Sequence, residues 1–280
     1  MMQGELEAAS GYLHQAIRLA HQSHNTQAII YTYSLMANLA FVQGQLTNAE
    51  KLFKAAMSFM LSGGAAQDDN AVIEMSLKLA TIYATQNKSE LAEHGFNFCL
   101  ESLEGKLEKQ KDLPPDALSD EERKDTRLLL GLSLDSRARY RAASHRLADA
   151  CHDYQRALQI CLEEQGDTHP QTLTLMSDLA TALDGLGRHE EALAQVKKAV
   201  ELGRESGHPD QHVLVCNMAG ILMHQGQFEE SERLYREALV LAQTAGDGEA
   251  VEQCEEGLKE LSTRRAGQTQ DKADHPAEKE

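Results

Sequence analysis

Residues 33–56 read YSLMANLAFVQGQLTNAEKLFKAA, and the spacing of their apolar side chains decides the fold. Ahead of Gly44, the residues Tyr33, Met36, Ala37 and Ala40 fall at helical spacing. Behind it, Leu46, Ala49, Phe53 and Ala56 do the same. Apolar positions three and four apart mark the buried stripe of an amphipathic helix, and a glycine between two stripes marks a tight turn. The segment therefore predicts a helical hairpin. Small Ala37 and Ala49 allow its two helices to approach closely, and Phe53 is left to fill the space between neighbouring hairpins.

The same frame recurs along the chain. Around Gly187 it reads Met176, Leu179, Ala180 and Leu183, then Ala192, Val196 and Ala199. Around Gly226 it reads Val215, Met218, Ala219 and Leu222, then Phe228, Ser231, Tyr235 and Ala238. Around Asn87, a residue tolerant of the left-handed conformation, it reads Leu79, Ala80 and Tyr83, then Ala92, Phe96 and Cys99. A weaker repeat has Leu134 and Ala138, then Ala150, Tyr154, Ala157 and Leu158. The first repeat shows a second helix only, with Leu6, Ala9, Leu13, Ala16 and Ile17. The small residue of each second helix falls at Ala9, Ala49, Ala92, Ala150, Ala192 and Ser231, giving steps of 40, 43, 58, 42 and 39.

Small residues in both helices and an aromatic late in the second resemble the tetratricopeptide repeat, although these units exceed its usual length of about 34 residues. GDTHPQTLTLMSDLATAL, residues 166–183, looks like the long repeats of kinesin light chains. The resemblance implies an all-α, right-handed solenoid of helical hairpins. Proline placement agrees: Pro170 and Pro209 each precede a first helix, where a missing N–H costs nothing. Pro114 and Pro115 fall in the oversized step. That step, residues 104–126, reads as a charged insertion: a helical extension, a turn at the prolines and a fresh helix. Ser119 and Glu122 stand at capping-box spacing before that helix. N-terminal repeats then span 1–103, and C-terminal repeats with a capping helix span 127–262. The tail 263–280, with no apolar residue beyond alanine apart from Pro276, is expected to be disordered.

Composition limits the function classes. The 280 residues carry 44 acidic and 27 basic side chains, a net charge of −17. Nucleic-acid binding and docking on anionic lipid both call for a basic footprint, so both are excluded. No window approaches the roughly 20 apolar residues of a membrane span. The N-terminus, MMQGELEAASGYL, lacks the basic start of a signal peptide and the Arg-rich pattern of a transit peptide. As written, the chain reads as soluble, without direct membrane insertion. Its five cysteines, Cys99, Cys151, Cys161, Cys216 and Cys254, form no CxxC and no zinc-finger spacing, and read as reduced small hydrophobes.

Longer runs sharpen the resemblance. IIYTYSLMANLAFVQGQLTNAEKLFKAAMSFML (29–61), IEMSLKLATIYATQN (73–87), HPQTLTLMSDLATALDGLGR (169–188) and ILMHQGQFEESERLYREAL (221–239) closely resemble one mitochondrial family of tetratricopeptide repeat proteins, over about residues 5–262. That resemblance implies a non-enzymatic factor of the mitochondrial inner membrane that associates with respiratory complex III. In this role it supports turnover of the Rieske iron–sulfur subunit by helping to clear its processed N-terminal fragments. A role in cytokinesis has also been attached to the family. The relatives carry a presequence, a membrane segment and a complete first helix upstream, whereas Met1 enters the first hairpin half-way. A truncated start is therefore expected, with Leu6, Leu13 and Ile17 half covered.

No catalytic constellation is found. HEEAL at His189 lacks the second histidine of a zincin. His21 and His24 have no third ligand beside them and read as solvated histidines at a helix end. Gly185-Leu186-Gly187 follows no strand, so it is no phosphate loop. The chain reads as a non-enzyme without cofactor or metal. Recognition is the chemistry left. First helices of such a solenoid line a concave surface, and the frame places Asn38, Phe41, Glu74, Lys78, Asp135, Arg139, Ser177, Asp178, Thr181, Asn217 and Met223 on it. These amides, hydroxyls and charges of both signs suit an extended or helical peptide, with Arg139 and Asn217 the strongest candidates. A clamp for chaperone C-terminal tails is rejected, because Ser34 stands where a paired lysine is needed.

Two partner classes remain from sequence. Complex III subunits, or the Rieske protein and its N-terminal fragments, follow from the resemblance. A cytosolic cargo adaptor of kinesin-light-chain type is the alternative, weakened by the absence of a heptad coiled coil. Charge is also uneven: residues 161–261 hold 20 acidic and 7 basic side chains, whereas 128–160 hold five arginines against three aspartates. A basic segment, such as a cleaved Arg-rich presequence, is expected to be steered to the second half.

Overall fold

The computed structural model describes residues 2–112, 114 and 117–274, with backbone alone for 2–5 and 268–274. Twelve α-helices, and no strand, occur among the described residues. They are α1 (Met2–Gln22), α2 (Thr26–Val42), α3 (Leu46–Ser62), α4 (Asn70–Thr85), α5 (Ser89–Lys111), α6 (Asp120–Ala143), α7 (Leu147–Gln165), α8 (Pro170–Gly185), α9 (His189–Ser206), α10 (Gln211–His224), α11 (Phe228–Ala245) and α12 (Gly248–Asp274). The chain divides into two units, residues 1–140 and 141–280, the boundary falling in the last turn of α6.

In the first unit the predicted hairpins are α2–α3 and α4–α5, with α1 packed on α2 and α3 on α4. Ala37 and Ala49 are wholly buried, and Phe53 is buried with Ala56 against Met75, Leu79 and Ile82 of the next hairpin. The second unit repeats the plan with α8–α9 and α10–α11; α7 lies on α8, and α12 on α11 and α10. The aligned small residues Ala49, Ala92, Ala150, Ala192 and Ser231 are all wholly buried. Ser231 spends its hydroxyl on the Ala219 carbonyl at 2.7 Å, so a polar side chain fits the same slot without an unpaired donor.

One turn serves each hairpin. At Gly44, Gly187, Gly226 and Asn87 the backbone is left-handed, with φ of 72°, 75°, 74° and 57°. The following N–H then reaches back over the helix end, as from Gln45 to Ala40 at 2.8 Å and Arg188 to Leu183 at 3.0 Å. This satisfies carbonyls that a helix C-terminus leaves open. His145, with φ 59°, turns α6 into α7 in the same way, and His24, with φ 51°, turns α1 into α2. Three first helices start on a side-chain cap instead: Asn25 for α2, Asp69 for α4 and His169 for α8, the last with Pro170 in the opening turn.

The charged insertion continues flanking helices. Helix α5 runs on to Lys111, 23 residues against 17 in α3. Lys106 ties the extension down through the Asp68 carbonyl at 3.1 Å and Asn70 Oδ1 at 2.8 Å. The capping box closes as the spacing predicts: Ser119 N–H donates to Glu122 Oε2 at 2.9 Å, and Glu122 N–H to Ser119 Oγ at 3.2 Å. Pro114 lies between the helices, and Pro115 lies outside the described residues.

The tail differs from expectation. Backbone 263–274 continues α12, while 275–280, with Pro276, lie outside the described residues. Extending an existing helix adds one hydrogen bond per residue fixed, without a new nucleus. Arg264 pairs with Glu260 at 2.7 Å and Arg265 with Glu232 at 3.3 Å, which anchors the extension. At the other end, Leu6, Leu13 and Ile17 of α1 are half-buried, as the stripe predicts.

Candidate functional site

In the first unit, four predicted recognition residues converge. Asn38 and Phe41 of α2 and Glu74 and Lys78 of α4 line one cavity of about 270 Å³, with Leu77, Thr81, Leu132, Ser136 and, beneath them, Phe53. Lys78 organises its rim: the ammonium donates to Asn38 Oδ1 at 3.1 Å and pairs with Glu74 at 3.2 Å. It also sits 5.7 Å from the Phe53 ring centroid, within cation–π range. Phe41 and Leu132, 36% and 45% exposed, supply apolar walls open to solvent. The result is an apolar hollow with an amide, a hydroxyl and both charges at its edge.

Asp135 and Arg139 are not among the lining residues. Asp135 is buried and accepts from Arg139 Nε at 3.0 Å. The lining positions on α6 are Leu132 and Ser136, three residues earlier. That offset is a rotation of about 60° on a helix of 3.6 residues per turn. The repeat frame is weakest in α6, and there it places Asp135 outward although that side chain is buried.

The second unit holds the remaining predicted residues. Ser177 is buried, and its hydroxyl accepts from Asn217 Nδ2 at 2.9 Å, linking α8 to α10. Thr181 is exposed and donates to the Ser177 carbonyl at 3.1 Å. Asp178 is half-buried. Met223 is buried at 3% exposure, so it belongs to the core and offers no contact to a ligand. Asn217, half-buried on α10, remains available at its edge.

A histidine cluster that sequence reading missed lies at the α8–α9 turn. The buried carboxylate of Asp184 accepts from His189 Nδ1 at 2.6 Å and also from His224 Nδ1 at the end of α10. His189 fails the zincin spacing in sequence; its i, i+5 placement after Asp184, across a turn glycine, is the signal that points to this pairing. Elsewhere, Arg141 pairs with the wholly buried Asp153 at 2.7 Å. In the first unit, Lys54, bonded at 2.7 Å and assisted by Lys88, holds the Glu50 carboxyl below its usual range. Glu50 in turn raises the Lys54 ammonium. His21 donates to or accepts from the Tyr33 hydroxyl at 3.2 Å and stands edge-on to Phe59, while His24 serves as a turn residue. Among the described residues, no three His, Cys, Asp or Glu side chains converge as metal ligands. No helix there is long and apolar enough to cross a membrane.

Tetratricopeptide repeat models match residues 129–205 and 216–245. Tetratricopeptide repeat protein 19, mitochondrial, from Danio rerio is 74% identical over 265 residues, covering 95% of this chain and 66% of the relative. Its Rattus norvegicus counterpart is 52% identical over 264 residues, covering 94% of this chain and 72% of the relative. The chain belongs to the family of mitochondrial tetratricopeptide repeat protein 19. It spans about two thirds of those relatives' length. Among solved structures, BtubC (BKLC) from P. vanneervenii shares the fold, with a TM-score of 0.60 at 16% identity, covering 88% of this chain and 93% of that one. The first-unit cavity is an apolar recess edged by polar side chains of α2, α4 and α6.

Proposed function

We propose that this chain is a non-enzymatic protein-binding factor that supports assembly and maintenance of respiratory complex III at the mitochondrial inner membrane. It would do so by promoting turnover and clearance of Rieske iron–sulfur subunit fragments. The observation that carries the binding reading is the first-unit cavity: an apolar hollow of about 270 Å³ edged by Asn38, Lys78, Glu74 and Ser136. A hollow of that size accepts one large apolar side chain. The edge groups can hold the flanking peptide by hydrogen bonds. Two other features support the choice of partner. The family's members are named mitochondrial, and residues 161–261 hold 20 acidic against 7 basic side chains. An acidic surface steers basic segments, and fragments derived from an Arg-rich presequence are of that kind.

The test uses the full-length protein, tagged and expressed in mitochondria, and captured from gentle detergent extracts. Complex III subunits and N-terminal Rieske fragments are the expected co-purifying species, reduced by Phe41→Asp. Cells lacking the protein are expected to accumulate the fragments. Recovery of neither, with capture of a kinesin heavy chain instead, supports the cargo-adaptor reading and overturns this one.

A further inference from the structure

Two of the five buried cysteines meet in the second unit. Cys216 lies midway along α10 and Cys254 two turns into α12, both buried, with their Sγ atoms 3.3 Å apart. A disulfide requires about 2.05 Å, so the sulfurs need to close by little more than an ångström. Their helices are held in register around them. Asp247 fixes the start of α12 by accepting from Ala250 N–H at 3.1 Å and from His212 Nε2 at 3.0 Å. One turn beyond Cys254, Gly257 packs so closely on Tyr235 that an added Cβ would come within 2.4 Å of its ring. Among the described side chains of α12, residues 248–267, Ala250, Cys254 and Leu261 form the buried stripe and most of the others are exposed.

We propose that Cys216 and Cys254 are a reversible dithiol–disulfide modification site that staples α12 to α10, oxidised by exchange with a small-molecule or protein disulfide. The Cys254 thiolate attacks the donor disulfide, forming a mixed disulfide and releasing one thiolate. Cys216 then loses its proton and attacks the Cys254 sulfur, forming the internal bond and releasing the second thiolate. Two protein thiols are oxidised by two electrons, and the donor is reduced to two thiols. The roles follow from an asymmetry in the pair. The neighbouring Cys216 sulfhydryl draws the Cys254 thiol down in pKa, whereas that same neighbour and burial push Cys216 up, and the more acidic thiol is the attacking one. Access comes through transient opening of α12, whose narrow buried stripe makes it an element that opens below the global stability.

The experiment equilibrates the full chain in graded mixtures of reduced and oxidised glutathione, alkylates it under denaturing conditions and maps the peptides. The expected product lacks alkylation at two cysteines, carries a Cys216–Cys254 linkage and reverts with dithiothreitol. Its melting temperature rises by about 5 °C. Cys99, whose thiol burial pushes up to about 12, is expected to be alkylated throughout. Cys254→Ser is expected to abolish the linkage and the thermal gain. Should that variant fail to fold, mapping of the unaltered chain decides alone. Full alkylation of all five thiols at every ratio, or a glutathione adduct on Cys254 that never resolves, overturns the proposal.

Discussion

Lys78 reaches from α4 to α2, donating to the Asn38 carboxamide oxygen at 3.1 Å while its ammonium also holds Glu74. The side chains of Lys78 and Glu74 are 36% and 51% exposed, and an ion pair so solvated contributes little to stability. Its consequence is positional: three polar groups are held at the rim of an apolar hollow before any ligand arrives, which lowers the ordering cost of binding.

Groove variants separate binding from folding. Lys78→Met is expected to change unfolding free energy by no more than about 0.5 kcal/mol. Affinity for a captured partner peptide is expected to fall about tenfold, and Phe41→Ala to do the same. Fluorescence anisotropy with the peptide, alongside urea denaturation, checks both. Unaltered affinity in both variants excludes the first-unit cavity as the docking surface.

A buried pair behaves in the opposite way. Asp153 is wholly buried and Arg141 is 17% exposed at 2.7 Å. Removing one member leaves a charge stranded away from water, so Asp153→Ala is expected to cost about 3 kcal/mol. Asp153→Asn, which keeps an acceptor for Arg141, is expected to lose less. Urea midpoints of the two variants test the order, and equal midpoints with the parent show that the pair does not form.

Most of the scaffold was legible because it is written in side-chain size and spacing. Ala49, Ala92, Ala150, Ala192 and Ser231 can occupy their slots only if they are small, and Gly44, Gly187 and Gly226 mark left-handed turns that glycine adopts freely. His24 and His145 turn the chain just as sharply, but a histidine carries no such signature. The site was half legible for a related reason. On α2 and α4 a strong repeat frame fixed which residues face outward, and Asn38, Phe41, Glu74 and Lys78 meet at one cavity. On α6 the frame is diluted by the insertion, and it points Asp135 outward although that side chain is buried against Arg139. Cys216–Cys254 and Asp184–His224 join residues 38 and 40 apart, and no local pattern announces such contacts.

Close helix approach makes one glycine irreplaceable. A Cβ on Gly95 of α5 would lie 2.8 Å from Ala80 Cβ on α4, and both are anchored to helix backbones that cannot swing aside. Alanine at this position gains up to about 1 kcal/mol in helix propensity, but forcing the helices apart costs about 1–3 kcal/mol. Gly95→Ala is therefore expected to lower the melting temperature. Ala80→Gly, which clears the space, is expected to restore part of it in the double variant. A melting temperature that rises in Gly95→Ala alone contradicts the packing.

Two carboxylates that start helices make those starts sensitive to acid. Glu122 is held below its ordinary 4.5 by the Ser119 N–H and hydroxyl, and Asp247 below its ordinary 3.8 by the Ala250 N–H and His212. Both groups bind protons more weakly folded than unfolded. Their contribution is therefore complete above the ordinary carboxylate range and is lost as pH falls through the depressed folded values. Hydrogen exchange, corrected for its intrinsic pH dependence, is expected to show constant protection of 122–124 and 250–252 from neutrality to about pH 5 and falling protection below about pH 4. Glu122→Gln is expected to remove the acid sensitivity at the start of α6 while leaving that of α12 intact. Equal acid fraying of both helices in that variant would mean that Glu122 does not control the start of α6.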